Sequence, residues 1–280
     1  MKRLKDKVVA ITGAGSGIGR ATALLLAQRG SHLALSDIDA ASVAETAAVC
    51  RALGVQVTSC RLDVADRQAV YDWADECART FGHVHVIINN AGVALGATVE
   101  DMSYADFEWL MNINFWGVVY GTKAFLPHLR TAGEGHVVNI SSVFGLIGVP
   151  TQSAYNAAKF AVKGFTESLR EELAIEGAPI GVTCVHPGGI KTNIAASARI
   201  TTSKGFTDDK AQRDFEKAFI TTPESAAATI VRAIERNQRR LLIGPDARVI
   251  DWMSRFMPAH YQDLLVLGGR LRRRKMLQQS

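Results

Sequence analysis

The chain has 280 residues, 48% of them hydrophobic and 21% charged, with a formal net charge of +5. That balance fits a soluble globular protein with a real core, and no apolar run is long enough to cross a bilayer as a helix. The basic start MKRLKDK leads into an apolar run too short for a secretory signal, so a cytoplasmic location is expected.

The first predicted strand, KVVAIT (7–12), runs straight into Thr12-Gly13-Ala14-Gly15-Ser16-Gly17-Ile18-Gly19, and an Ala/Leu-rich helix over 17–29 follows. The glycines let the backbone approach a pyrophosphate closely, and the helix N-terminus favours its negative charge. The spacing is neither GxGxxG, because position 18 is Ile, nor a P-loop, because no GK[ST] follows; it fits TGxxxGxG. The second strand, HLALS (32–36), ends at Asp37, whose carboxylate suits the hydroxyls of an adenosine ribose and repels a 2′-phosphate. Ser16 and Ile38 stand where a basic residue would bind that phosphate, so NAD is the expected cofactor, ahead of NADP. After a helix at 40–53, the third strand (55–61) is followed by Asp63 and Val64, near the expected adenine position. A helix at 66–80 leads to the fourth strand, VHVIINN (84–90), which runs out through Asn89-Asn90-Ala91-Gly92, where the chain must pass close to the cofactor.

One long helix is expected over 104–130, with Asn114 in its middle, where asparagine is a mediocre helix former. The fifth strand, GHVVNIS (135–141), precedes Ser142, and the helix at 153–177 carries Tyr155 and Lys159 four apart on one face. The sixth strand, IGVTCVH (180–186), ends at Pro187-Gly188, and a helix at 223–236 and a seventh strand, RLLIG (240–244), close the series. Most of these strands are near-continuous apolar runs, as strands buried on both faces are. The alternation predicts an α/β fold: one doubly wound parallel sheet of about seven strands with helices on both faces. Gly30, Gly54 and Gly82 stand where helix C-caps belong. Residues 193–222 break the rhythm between the sixth strand and the next helix, and are read as a lid over substrate. The domain is expected over 1–250, with 251–280 as a C-terminal extension.

The four cysteines, Cys50, Cys60, Cys77 and Cys184, form no CxxC and are read as idle thiols in a reducing compartment. His83 and His85 lack a third ligand, and no metal is expected. Arg270, Arg272, Arg273, Arg274 and Lys275 account for the whole net charge, since residues 1–269 are formally neutral without them. A solvated tail is expected there, with weak peripheral contact to an anionic membrane as the alternative and no nucleic-acid partner. The segment 246–267 carries Trp252, Met253, Phe256, Met257, Tyr261 and Leu264 to Leu267. It could close the substrate pocket, pack on another subunit, or lie on a membrane surface, and the first two rank ahead of the third.

Six motifs, in order and in register over residues 5–245, resemble the short-chain dehydrogenases/reductases: Thr12-Gly13…Gly17…Gly19, Asn89-Asn90-Ala91-Gly92, Asn114, Ser142, Tyr155 with Lys159, and Pro187-Gly188…Thr192. The resemblance implies a Rossmann-type fold and an NAD(P)-linked alcohol–carbonyl oxidoreductase. Tyr155 would be its acid/base. A free tyrosine titrates near about 10, and the Lys159 ammonium beside a positive nicotinamide would lower that value. Lys159 would also hold the nicotinamide ribose, Ser142 (chosen over Ser141 from the family's spacing) the substrate oxygen, and Asn114 a water linking Lys159 to solvent. Gly13, Gly15, Ser16, Gly17, Ile18 and Gly19, with Asn90, Ala91 and Gly92, would shape the cofactor crevice. Asn89 would brace the sheet, while Ile190 and Thr192 would touch the nicotinamide amide. The family commonly pairs its helices at 104–130 and 153–177 between subunits, so a homodimer or homotetramer is expected.

Substrate contacts are expected from Val93, Ala94 and Leu95, from Val143, Phe144, Gln152 and Gly189, and from Phe206, Phe215 and Phe219 of the lid. This mostly apolar set points to a hydrophobic alcohol or ketone as the small-molecule partner. An NADPH-dependent ketoreductase, such as one acting on acyl thioesters, and a non-catalytic dinucleotide-binding regulator are the alternatives. Asp37 argues against the first, and the Asn114–Ser142–Tyr155–Lys159 set against the second. A serine hydrolase is excluded by the lack of a GxSxG elbow.

Overall fold

A computed structural model of the protein describes residues 3–192, 198–201 and 221–277, with side chains as far as 271. Seven parallel strands form the central sheet: β1 (Val8–Thr12), β2 (His32–Asp37), β3 (Val57–Arg61), β4 (Val86–Asn89), β6 (Gly135–Ile140), β7 (Ile180–Pro187) and β9 (Arg240–Ile243). Their order is β3-β2-β1-β4-β6-β7-β9, so the chain reverses direction across the sheet between β1 and β4. In such a sheet the ligand crevice lies at that switch point, beyond the carboxyl ends of the strands.

The apolar runs are near-continuous because both faces of the sheet are covered. Val9, Ile11, Leu33, Leu35, Ile88 and Val138 pack under α1 (Gly17–Gln28), α2 (Ala40–Arg51) and α7 (Pro223–Glu235). The alternate residues Val8, Ala10, Ala34, Ile87 and Val137 pack under α3 (Arg67–Phe81), α5 (Gly117–Thr131) and α6 (Ser153–Ile175). Asp39 caps α2 by accepting from the Ala41 and Ser42 N–H groups, and Asp66 caps α3. Gly30, Gly54 and Gly82 all sit at positive φ after their helices, as expected.

Three parts depart from the expected pattern. The helix expected over 104–130 is broken: α4 (Tyr104–Met111) passes through a π-helical turn, Asn112–Trp116, into α5. A second, two-stranded sheet pairs β5 (Leu95–Ala97) with β8 (Arg199–Thr201). Of the predicted lid, 198–201 and 221–222 lie among the described residues, and Phe206, Phe215 and Phe219 lie outside them. Finally, α8 (Pro245–Phe256) runs across the boundary expected at 250, and α9 (Tyr261–Leu277) follows it.

Candidate active site

The glycine turn sits at the switch point, clamped from β4. Thr12 Oγ1 accepts from the Asn90 and Ala91 N–H groups, each at 3.0 Å, while Asn90 Nδ2 donates to the Thr12 and Gly13 carbonyls at 2.9 and 3.0 Å. A Cβ on Gly13 would fall 2.9 Å from Ala91 Cα, and one on Gly19 would strike the Gly13 carbonyl, so neither position has room for a side chain. Gly17, at φ +52°, faces Thr192 across the crevice. A cleft of about 200 Å³ opens beside these two residues, with Arg20 and Lys191 supplying positive charge on its walls. Asp37 Oδ2 accepts from the Gly15 N–H at 2.8 Å and Oδ1 from Asp39 N–H at 3.1 Å, which fixes the carboxylate at the end of β2. Arg61 lies opposite Asp37 in the register of β3. Asp63 accepts from Ala65 N–H in its own turn, and Val64 is buried against Gly117 at the start of α5. A narrow glycine-walled turn with an acidic residue after β2 fits a dinucleotide.

Asn89 braces the sheet, as expected: its Nδ2 donates to Asn139 Oδ1 at 2.8 Å and to Thr122 Oγ1 at 3.1 Å, and Asn139 donates on to Thr166. Asn114 is fully buried in the π-turn. Its amide pairs with the Val93 backbone in both directions, Nδ2 donating to the carbonyl and Oδ1 accepting from the N–H, each at 2.8 Å. A π-turn widens the helical ladder locally, and here it points an amide inward at Val93, next to Gly92 in the loop between β4 and β5.

The 3₁₀ segment Val143–Gly145 begins at Ser142, whose Oγ accepts from Phe144 N–H at 3.1 Å and whose hydroxyl acts to lower the Tyr155 pKa. Ser141 turns the other way and donates to the Lys159 carbonyl at 2.8 Å. One turn of α6 beyond Tyr155, buried Lys159 donates from Nζ to the Ile140 carbonyl at 3.0 Å, with Nζ 5.5 Å from the Tyr155 ring centre. Burial pushes Tyr155 up to about 12, and the Ser142 hydroxyl opposes it. Burial likewise pulls Lys159 down to about 8. The expected lowering of Tyr155 is therefore not a property of the protein groups alone, because their burial outweighs the pull of Ser142.

Residues 7–203 match the short chain dehydrogenase family. The chain belongs to that family. A putative oxidoreductase, SadH, of Mycobacterium tuberculosis is 49% identical over 273 residues, covering 96% of this chain and 97% of its own. Among solved structures, a short-chain dehydrogenase/reductase from Burkholderia phymatum in complex with NAD superposes with a TM-score of 0.82 at 30% identity, over 95% of this chain and 97% of its own. A levodione reductase does so with a TM-score of 0.78 at 29% identity, over 88% and 99%.

In this short-chain dehydrogenase the loop after β7 is held by residues that no motif contains. His186 is fully buried and its Nδ1 donates to the Ser142 carbonyl at 3.0 Å, with burial pulling its pKa down to about 4 and keeping the ring neutral. Gly188 N–H donates to the Ile243 carbonyl at 2.9 Å, and Gly189 N–H to Asp246 Oδ2 at 2.6 Å. The Asp246 carboxylate lies where a Cβ on either Gly188 or Gly244 would be. Tyr261, at the start of α9, accepts from Gly148 N–H at 3.1 Å and ties the C-terminal segment to the loop between Ser142 and Tyr155.

Two of the residues expected to make contacts have buried side chains. Ile190 packs its side chain into the core beneath α7, which leaves only its backbone for the crevice. Leu95 is buried in the cluster of Leu110, Ala154 and Ala158, because β5 turns it inward. Val93 and Ala94 remain half-buried at the crevice, Phe144 packs edge-on against Tyr155 with ring centres 6.1 Å apart, and Gln152 caps α6 beside Ala97. Val143 is buried behind Phe144. Arg199 of β8 lies 3.7 Å over the Trp109 ring and pairs with Asp106 at 3.4 Å, fastening the returning strand over α4.

Proposed function

We propose that the protein is an NAD-dependent oxidoreductase acting on a hydrophobic secondary alcohol or ketone, working in the cytoplasm as a homodimer or homotetramer. The observation that carries this reading is buried Lys159 with its Nζ 5.5 Å from the Tyr155 ring, beside Ser142 at the carboxyl edge of the sheet and the Gly13–Gly19 turn. When bound, NAD supplies the hydride acceptor, and the reduced cofactor the donor. Ser142 holds the substrate oxygen against the Tyr155 hydroxyl. In ketone reduction Tyr155 gives its proton to that oxygen, and a value near 12 keeps it protonated and ready at neutral pH. Alcohol oxidation needs the phenolate, so that direction speeds up as pH rises. Lys159 stands by the ring to favour the phenolate and to hold the nicotinamide ribose. Pro187, Gly188 and Thr192 position the amide, while Asn114, through its grip on Val93, sets the wall opposite.

Asp37 and the NAD-bound relative support NAD over NADP. Arg61, opposite Asp37, favours the NADPH reading. Exposed Trp116 and Phe160, on the two helical stretches expected to pair, support subunit association. Calorimetry with both cofactors, combined with turnover on a panel of secondary alcohols and ketones, tests the proposal. NAD⁺ should bind more tightly than NADP⁺, and Tyr155→Phe should bind NAD⁺ as the wild type does while losing turnover. Normal turnover in that variant would remove Tyr155 from the chemistry, and a preference for NADP⁺ would overturn the reading of Asp37.

A further inference from the structure

The two C-terminal helices turn apolar side chains outward. On α8, Val249, Trp252 and Phe256 recur at helical spacing and are 62%, 57% and 69% exposed, with the two rings 5.4 Å apart. On α9, Leu264, Leu267 and Leu271 repeat the spacing, each more than half exposed. Scattered exposed leucines are ordinary on a protein surface, but an exposed aromatic pair and an exposed leucine row on consecutive helices are the kind of apolar surface that marks an interaction site. Arginine borders the patch. Arg248 and Arg255 flank the α8 stripe, and Arg255 bonds Asp251. From Arg270 onward the sequence adds five cations in six positions with no acidic residue after them.

We propose that this face docks on an anionic phospholipid bilayer. Trp, Phe and Leu on one side with arginine at the margin is the composition of a helix lying in a membrane interface. Arginine can bury its aliphatic stem there and keep its charge at the headgroups. Charge favours a lipid surface over a second copy as the occupant: without its tail the chain is formally neutral, whereas an anionic leaflet offers the five cations a continuous negative partner. Tyr261 binds Gly148, so the docked face adjoins the loop between Ser142 and Tyr155. A hydrophobic alcohol dissolved in lipid would approach the site from that side, a consequence that rests on the oxidoreductase reading. The docking itself does not.

The test is co-sedimentation of the full-length protein with vesicles of phosphatidylcholine, alone or mixed with phosphatidylglycerol, with no turnover measured. The protein should pellet with the anionic vesicles and not with the neutral ones, and high salt should release it. Arg270→Gln should weaken vesicle binding about fivefold, the loss expected for one basic side chain at an anionic surface. Trp252→Ser with Phe256→Ser should weaken it further while leaving the sedimentation coefficient of the lipid-free protein unchanged. Failure to pellet with anionic vesicles, or equal pelleting with neutral ones, overturns the proposal. So does dissociation of an oligomer in the Trp252→Ser, Phe256→Ser variant, which would assign the patch to a subunit contact.

Discussion

At Asp246 one carboxylate holds two glycine turns together. It accepts from Gly189 N–H, and it occupies the space that side chains at Gly188 and Gly244 would need, so it ties the end of β7 to the start of α8. With Pro187 and Gly188 at the nicotinamide end of the cofactor, as proposed above, Asp246 would be a positioning residue for NAD. Asp246→Ala should raise the KM for NAD⁺ roughly tenfold, the scale of one lost hydrogen bond to a charged group, while Asp246→Asn, which keeps an acceptor, should recover most of the loss. A lower melting temperature with an unchanged KM would make Asp246 structural only. Nothing in the sequence pointed to it, because it stands 57 residues from its partner and in no motif. Tyr155 and Lys159 were legible for the opposite reason: one helix turn separates them, so sequence spacing and spatial neighbourhood coincide. The choice of Ser142 over Ser141 came from the family's spacing and not from periodicity, since the two hydroxyls part only where the strand gives way to the 3₁₀ segment.

Among the elements, the seven central strands and most of the major helices follow the apolar pattern to within about two residues, the usual uncertainty of helix ends. The patterns that failed are the ones set by single contacts. The stretch 104–130 has a helical pattern throughout, yet the pairing of Asn114 with Val93 sits in a π-turn that no periodicity encodes. β5 and β8 are three residues each and exist only because they pair with each other. The C-terminal segment left three readings open, and the Tyr261–Gly148 bond shows one thing it does: it fastens α9 to the substrate loop. Tyr261→Phe removes that acceptor at a cost of about 1 kcal/mol. The KM for the ketone should rise severalfold while the dissociation constant for NAD⁺ stays as it was. A rise in both would mean that the loop supports the cofactor too.

For the molecule as a whole, three histidines tie stability to pH. Burial pulls His85 to about 4, His136 to about 3 and His186 to about 4. In the unfolded chain each titrates near about 6.5. Between those values the unfolded state takes up protons that the folded state refuses, so stability is complete above about 6.5 and falls as pH drops toward about 4. Thermal melts should shift to lower temperature between about pH 7 and about pH 5, and an unchanged melting temperature would show that other groups compensate. The sequence by itself determined the parallel α/β architecture, the cofactor turn and the placing of Tyr155 and Lys159 on one helix face. Each of these rests on local periodicity or on residues within a turn of one another, and burial on both sheet faces leaves a continuous apolar signature. Only the tertiary structure decided what spans the switch point. The π-turn that seats Asn114 on Val93, the grip of Asp246 on the loop after β7, the inward turn of Leu95 and Ile190, and the outward aromatic face of α8 all depend on residues distant in the chain. No spacing within the sequence records which of them meet.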